Sequence, residues 1–152
     1  MLGLFAQRDI SPTRIRLEGP SDHVAFLQTY DKVDIALDTF PYNGGTTTTE
    51  AIWQGVPVVT FFGDRWVSRT SASLLRAGTL GDFVAPDLEG YISLAVRLAN
   101  SPEALLDLRR SMRSRLEISP VCDTHTFARN MERLYLQMIN GQADTTKHAS
   151  DL

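Results

Sequence analysis

The sequence is poor in the features that mark several large classes of protein. Its 152 residues include one cysteine, Cys122, which excludes an internal disulfide and fits a reducing compartment. The three histidines lie far apart, so there is no zinc-binding pattern. No apolar run approaches the roughly 20 residues of a membrane span. The formal net charge of −3 argues against a nucleic-acid-binding protein. We therefore expect a cytoplasmic domain without a zinc site that binds neither membrane nor nucleic acid.

Short apolar runs alternate with helical patterns along most of the chain. Runs of strand character lie at 14–18, 33–37, 56–62 and 82–85. Helical patterns lie at about 23–30, 46–54, 67–77, 86–98, 101–116 and 123–138. This alternation predicts an α/β domain with a parallel sheet. Residues 141–152 are polar, and we expect them to form a disordered tail.

The most informative stretch runs from Val33 to Thr60 and reads VDIALDTFPYNGGTTTTEAIWQGVPVVT. It predicts a strand, a glycine-containing loop, a helix capped by the threonines at 46–49, and a second strand. A helix N-terminus after such a loop presents unpaired N–H groups and a partial positive charge, which suit a phosphate. The residues alone leave two alternatives, an anion site or merely a well-capped helix.

The same stretch, with GDRWVSRTSASLL after it, resembles the C-terminal catalytic lobe of the O-GlcNAc transferase/SPINDLY glycosyltransferases. The bacterial branch linked to tetratricopeptide repeats is the most similar, and the resemblance runs from about Arg14 to about Ile139. It implies a GT-B fold, in which two Rossmann-like lobes enclose a nucleotide-sugar and the C-terminal lobe holds its UDP part. Residues 1–140 are then a UDP-binding lobe that is incomplete at its N-terminus.

The resemblance also implies roles for individual residues. Thr46 and Thr47 match the paired threonines that contact the diphosphate, although both could simply cap the helix. Glu50 matches the acidic residue that holds the ribose hydroxyls, and its alternative role is a favourable charge near a helix N-terminus. His23 matches a histidine beside the uridine, and its alternative is a surface residue at a helix start.

Other residues of the motif are expected to support this site. Gly45 replaces the histidine that animal enzymes carry before the paired threonines, and Thr48 lies where relatives vary, so both are weaker candidates for contacting the diphosphate. Asn43 and Gly44, with Asp38, are expected to shape the loop. Arg69 could reach a phosphate or pair with an acid. Cys122 lies in a turn with nothing nearby to make it a nucleophile.

The implied activity is inverting, metal-independent transfer of N-acetylglucosamine from UDP-GlcNAc to Ser or Thr hydroxyls of a protein. No cofactor is expected beyond this donor substrate. The repeat period of roughly 34 residues is absent, so the acceptor protein would bind through a lobe and repeats outside this chain. We therefore expect the chain alone to be inactive, and no residue in it is assigned a catalytic role.

Two other functions stay open on the sequence. One is transfer of another sugar, as in a SPINDLY-like O-fucosyltransferase that uses GDP-fucose, or an N-glucosyltransferase. The other is a non-enzymatic remnant or partner-binding domain. Because the lobe would begin partway through, the strand at 14–18 or 33–37 should have an open edge, and we expect self-association there or a companion chain.

Overall fold

The computed structural model describes residues 2–141, which form a small parallel sheet surrounded by helices. Its strands are β1 (Ala36–Leu37), β2 (Val58–Phe61) and β3 (Val84–Ala85), in the order β1-β2-β3. Ala36 pairs with Val58, and Thr60 pairs with Val84, both in parallel. The helices are α1 (Leu2–Ala6), α2 (His23–Thr29), α3 (Thr46–Trp53), α4 (Thr70–Ala77), α5 (Leu88–Ala99), α6 (Pro102–Glu117) and α7 (Thr124–Ile139). The predicted α/β class with a parallel sheet is confirmed.

The core forms around the central strand β2. Val58, Val59 and Thr60 are all buried, as expected for a parallel strand covered on both faces. Helix α5 packs against β2, and α3 packs against α6. The largest fully buried side chains are not aromatic: Ile52, Leu75, Leu80, Met112 and Leu116. This core holds the carboxyl ends of β1 and β2 beside the N-terminus of α3.

Several helices begin or end where local sequence signals place them. Asp22, Asp87 and Asp123 are the N-caps of α2, α5 and α7. Each side chain accepts the backbone N–H of the third residue of its helix. After α3, Gly55 has a φ of 80°, a conformation that glycine adopts without strain. Helix α6 has proline at its first position.

Two predictions about local structure are wrong. The run at 14–18 is not part of the sheet: Pro12–Arg14 is a short 3-10 helix, and Ile15 is extended without a paired strand among the described residues. A strand needs a neighbour for its backbone hydrogen bonds, and alternation alone does not supply one. The threonines also do not cap α3, because Gly45 is the N-cap residue and the helix begins at Thr46.

Arginines of α6 fix the opposite, C-terminal end of α3. The guanidinium of Arg109 donates to the carbonyl of Gln54, the residue that ends α3, at 3.5 Å, and to that of Tyr30, which follows α2, at 3.2 Å. Arg113 donates to the Trp53 carbonyl at 3.2 Å from Nε. Cations at the negative, C-terminal end of a helix dipole are favourable. These arginines therefore stabilise α3 at the end opposite to its exposed N-terminus.

None of the helices between residues 2 and 141 has the length and apolar character needed to cross a membrane. The disordered tail expected from the sequence lies, from residue 142 onward, outside the described residues.

Candidate functional site

The N-terminus of α3 is open to solvent. No side chain caps it, and its first intrahelical backbone bond runs from the Thr49 N–H to the Gly45 carbonyl at 3.0 Å. The preceding N–H groups therefore have no partner within the helix. Thr46 and Thr47 are both exposed, so their hydroxyls lie at the same end as these N–H groups and the positive pole of the helix dipole. This combination of donors suits an anion.

A cavity of about 200 Å³ lies beside this helix end, where β1 stops. It is lined by Tyr30, Ala36, Leu37, Asp38, Thr39, Gly44, Thr47, Thr48, Ala51 and Val58. Ligands of open α/β sheets bind at the carboxyl ends of the strands. Sites for small molecules usually measure about 300–1,000 Å³, so this cavity accommodates part of a nucleotide-sized ligand rather than all of it.

Glu50 and His23 form a hydrogen bond at one side of the site. Nε2 of His23 lies 2.8 Å from Oε1 of Glu50, with the histidine side chain 71% exposed and the glutamate 18% exposed. An ionised carboxylate only accepts hydrogen bonds, so Nε2 carries the hydrogen. Two residues 27 positions apart in the sequence, both proposed for the nucleoside, are thus brought together.

Tyr30 links α2 to the first turn of α3. Its hydroxyl donates to the Thr47 carbonyl at 3.2 Å. Burial, and then the negative charge of Glu50, raise the pKa of Tyr30 above its ordinary value of 10.0. The hydroxyl therefore stays protonated at neutral pH and keeps donating, which holds α2 against the candidate site.

The hydroxyl of Thr48 is turned away from the open helix end. Thr48 is buried, and its Oγ1 lies 2.8 Å from Oγ of the buried Ser71 in α4. Ser71 Oγ donates to the Gly44 carbonyl at 2.9 Å. Because a hydroxyl carries one hydrogen, Thr48 must be the donor to Ser71. The predicted contact of Thr48 with a diphosphate therefore depends on its backbone N–H.

Asp38 organises the loop before α3. Its Oδ1 accepts the N–H of Gly44 at 3.0 Å and that of Thr39 at 3.1 Å, while Oδ2 accepts the hydroxyl of the buried Thr60 at 2.7 Å. The Tyr91 hydroxyl donates to the Asp38 carbonyl at 3.1 Å. The carboxylate thus joins the end of β1 to β2 and to the glycine that precedes the site.

Asn43 and Gly44 lie where the sequence predicts, within this loop. Asn43 donates from Nδ2 to the Thr39 carbonyl at 2.9 Å and from its backbone to Val67 at 2.9 Å. A Cβ added at Gly44 would come within 2.6 Å of Thr47 Oγ1. At Gly45 the nearest atom to an added Cβ would be 3.9 Å away, so only Gly44 needs the absence of a side chain for reasons of space.

Arg69 lies farther along the same edge and is exposed. Its Nε donates to the Gly63 carbonyl at 2.9 Å. No acidic partner for Arg69 occurs within residues 2–141, so of its two predicted roles the ion pair is not seen there. The role of Arg69 toward phosphate stays a prediction.

Sequence reasoning missed Ser71 and Tyr30 as parts of this arrangement. Ser71 lies 27 residues after Gly44 and Tyr30 lies 17 residues before Thr47. Neither residue stands in a pattern that signals a contact with the loop. In the loop and in the first turn of α3 their partners are the carbonyl groups of Gly44 and Thr47. Every residue carries a carbonyl group, so residue types alone do not reveal these contacts.

Comparisons with known proteins bear on the whole of this arrangement. A family model described as glycosyl transferase family 41 matches residues 4–131. SPINDLY of Hordeum vulgare, named a probable UDP-N-acetylglucosamine–peptide N-acetylglucosaminyltransferase, is 43% identical over 118 residues, which are 78% of this chain and 12% of that protein. SEC of Arabidopsis thaliana, given the same activity, is 36% identical over 108 residues, or 70% of this chain and 11% of that protein.

A solved structure shows the same fold. A mutant O-GlcNAc transferase from Thermobaculum terrenum superposes with a TM-score of 0.81 at 36% identity, covering 90% of this chain and 26% of that one. The match confirms the resemblance found in the sequence and the assignment of the fold to a GT-B lobe. The chain spans only about an eighth of the curated relatives it matches.

Proposed function

The chain belongs to glycosyl transferase family 41, and on this premise we propose that it is the donor-binding part of a protein O-linked N-acetylglucosaminyltransferase. The donor would be UDP-GlcNAc and the acceptor a Ser or Thr hydroxyl of a protein. Transfer would invert the configuration at the anomeric carbon of the sugar and need neither a metal ion nor a cofactor. The observation that carries the proposal is the uncapped N-terminus of α3, with Thr46 and Thr47 exposed beside a cavity at the end of β1.

Each part of the site has a proposed task. The N–H groups and hydroxyls at Thr46 and Thr47 would bind the diphosphate, with the helix dipole offsetting its charge. Glu50 Oε2, which the His23 pair leaves available, would accept the ribose hydroxyls, and His23 would lie beside the base. During transfer, negative charge grows on the departing UDP, and donors already fixed in place stabilise it without reorganising.

Calorimetry with UDP, GDP, UDP-GlcNAc and UDP-glucose tests the proposal on the folded chain. We expect saturable but weak binding of UDP, because the cavity holds only part of the ligand. A Thr46→Val/Thr47→Val variant should bind UDP about tenfold more weakly, the equivalent of about 1.4 kcal/mol. Thr49→Val, in the same helical turn but with its hydroxyl donating to the Gly45 carbonyl, is the matched control.

Four results would count against the proposal. No saturable heat at millimolar UDP would contradict a donor site and favour the alternative of a non-enzymatic domain. Equal loss of binding in Thr49→Val would mean that helix propensity, and not donors to phosphate, explains the effect. Tighter binding of GDP than of UDP would favour a SPINDLY-like fucosyltransferase, while preference for UDP-glucose would favour an N-glucosyltransferase.

The isolated chain should have no transferase activity, since the acceptor would be held by a lobe and repeats outside these 152 residues. Incubation with radiolabelled UDP-GlcNAc and a peptide mixture should therefore give no labelled peptide. Acceptor-dependent label above the level of the Thr46→Val/Thr47→Val variant would contradict this.

We also propose that the chain self-associates or takes a companion chain along β1. This strand pairs with β2 on one side and lies at the edge of the sheet, beside a cavity of about 670 Å³ lined by residues 32–35 and by Leu105, Leu106 and Arg109. An open strand edge with apolar neighbours tends to recruit another chain. Sedimentation at several concentrations should show mass rising with concentration, and a stable monomer throughout would oppose self-association.

A further inference from the structure

We propose that Ser71 and Asp38 are positioning residues that hold the two peptide groups flanking Gly44 and thereby aim the N-terminus of α3. The inference rests on the proposed function of that helix end. Asp38 Oδ1 accepts the Gly44 N–H at 3.0 Å, and Ser71 Oγ donates to the Gly44 carbonyl at 2.9 Å. Neither side chain belongs to the set expected to contact the ligand.

The Ser71 contact is part of a directed chain of hydrogen bonds. Thr48 Oγ1 donates to Ser71 Oγ, and Ser71 Oγ donates to the Gly44 carbonyl. Thr48 is in the first turn of α3, and Ser71 is in α4 with no exposed surface. The chain therefore ties the first turn of the helix and the peptide before its N-cap to one fixed point in the core.

The Asp38 contact supplies the second point. Its carboxylate is itself held by Thr60 of the central strand, at 2.7 Å. The Gly44 N–H belongs to the Asn43–Gly44 peptide group and the Gly44 carbonyl to the Gly44–Gly45 peptide group, so neither group can rotate without breaking a hydrogen bond that is at least partly buried. The N–H of Gly45 lies in the second of these groups, and its direction is therefore fixed together with the Gly44 carbonyl. Donors fixed in this way bind a charged ligand without having to be ordered first.

Ser71→Ala tests the inference, and Ser119→Ala is its matched control. Both serines are buried and donate to a backbone carbonyl, Ser119 to that of Leu116 at 2.7 Å, but Ser119 lies at the end of α6 away from the site. Each variant loses a hydrogen bond to a backbone carbonyl, and Ser71→Ala also loses the one that Ser71 accepts from Thr48. We expect only Ser71→Ala to weaken UDP binding by about tenfold, since 1.4 kcal/mol corresponds to that factor.

A second measurement needs no ligand. In ¹H–¹⁵N spectra of the full chain, Ser71→Ala should shift the amides of Gly45, Thr46 and Thr47 and lower their order parameters, whereas Ser119→Ala should leave them unchanged. Asp38→Asn should shift the resonances of the same backbone amides, because the side-chain NH₂ of asparagine would then face either the Gly44 N–H or the Thr60 hydroxyl.

The outcomes separate this inference from the proposed function. If the wild-type chain binds no UDP but the amides respond as expected, the donor site is wrong and the positioning stands. If UDP binds and Ser71→Ala leaves both affinity and amides as in Ser119→Ala, the positioning role is wrong and the donor site stands.

Discussion

Gly44 is the position where one added methyl group should damage the candidate site most. A Cβ built there would lie 2.6 Å from Thr47 Oγ1 and 2.7 Å from Thr48 Oγ1, closer than side chains tolerate. Thr47 is exposed, so its hydroxyl can rotate away. Thr48 is buried and its hydroxyl donates to Ser71. The clash must therefore be relieved at the expense of the Thr48–Ser71 hydrogen bond.

The expected loss follows from that bond. Leaving a buried hydroxyl without its partner costs about 1–3 kcal/mol, and we take about 2 kcal/mol for Gly44→Ala. In a chain of this size 1 kcal/mol lowers the melting temperature by about 2–4 °C. The variant should therefore melt about 4–8 °C below the wild type, and its affinity for UDP should fall because the first turn of α3 has moved.

Gly45→Ala provides the matched control for this change. The neighbouring glycine has only the Thr70 methyl group within reach of an added Cβ, at 3.9 Å. An N-cap change of this kind costs up to about 1 kcal/mol. Thermal unfolding followed by circular dichroism compares the two variants directly. If Gly44→Ala melts together with Gly45→Ala, then Thr48 is not locked in place and the reasoning is refuted.

Three further predictions concern the scaffold behind the site. Arg109→Met should lower the free energy of unfolding by about 2–4 kcal/mol because the carbonyls of two segments lose a charged donor. Arg113→Met, at an exposed position, should lower it by only about 0.5 kcal/mol. Denaturant titration measures both losses provided that the slopes are unchanged, and equal losses would contradict the argument. In the same titration, Gly55→Ala should lower the free energy of unfolding by more than about 1 kcal/mol. Gly55 has a φ of 80°, and an added Cβ would lie 2.8 Å from a backbone carbonyl oxygen. An unchanged free energy of unfolding would contradict this strain. The Thr126 hydrogen bonds lower the pKa of Asp123 below its ordinary value of 3.8. This cap therefore stabilises α7 above pH 3.8, and the stabilisation is lost as the pH falls through the lowered pKa. The difference in melting temperature between wild type and Asp123→Ala should shrink in acid, and a constant difference would refute this role of the cap.

Local signals in the sequence determined much of the framework. The apolar run around Val58 and Val59 gave the central strand, because a strand buried on both faces must be continuously apolar. Asp87 and Asp123 mark helix starts by capping N–H groups within three residues of themselves. The family motif also identified Thr46 and Thr47, and these residues do lie exposed at a helix N-terminus. Each of these features depends on residues close together in the chain.

The tertiary structure decided the features that depend on distant partners. The run at 14–18 alternates like a strand, yet it pairs with no strand among the described residues. Thr48 has the same side chain as its neighbours Thr47 and Thr49, but Ser71 of another helix takes up its hydroxyl. Which threonines face a ligand is therefore set by the packing of α4 against α3, since identical side chains in one helical turn differ only in what surrounds them.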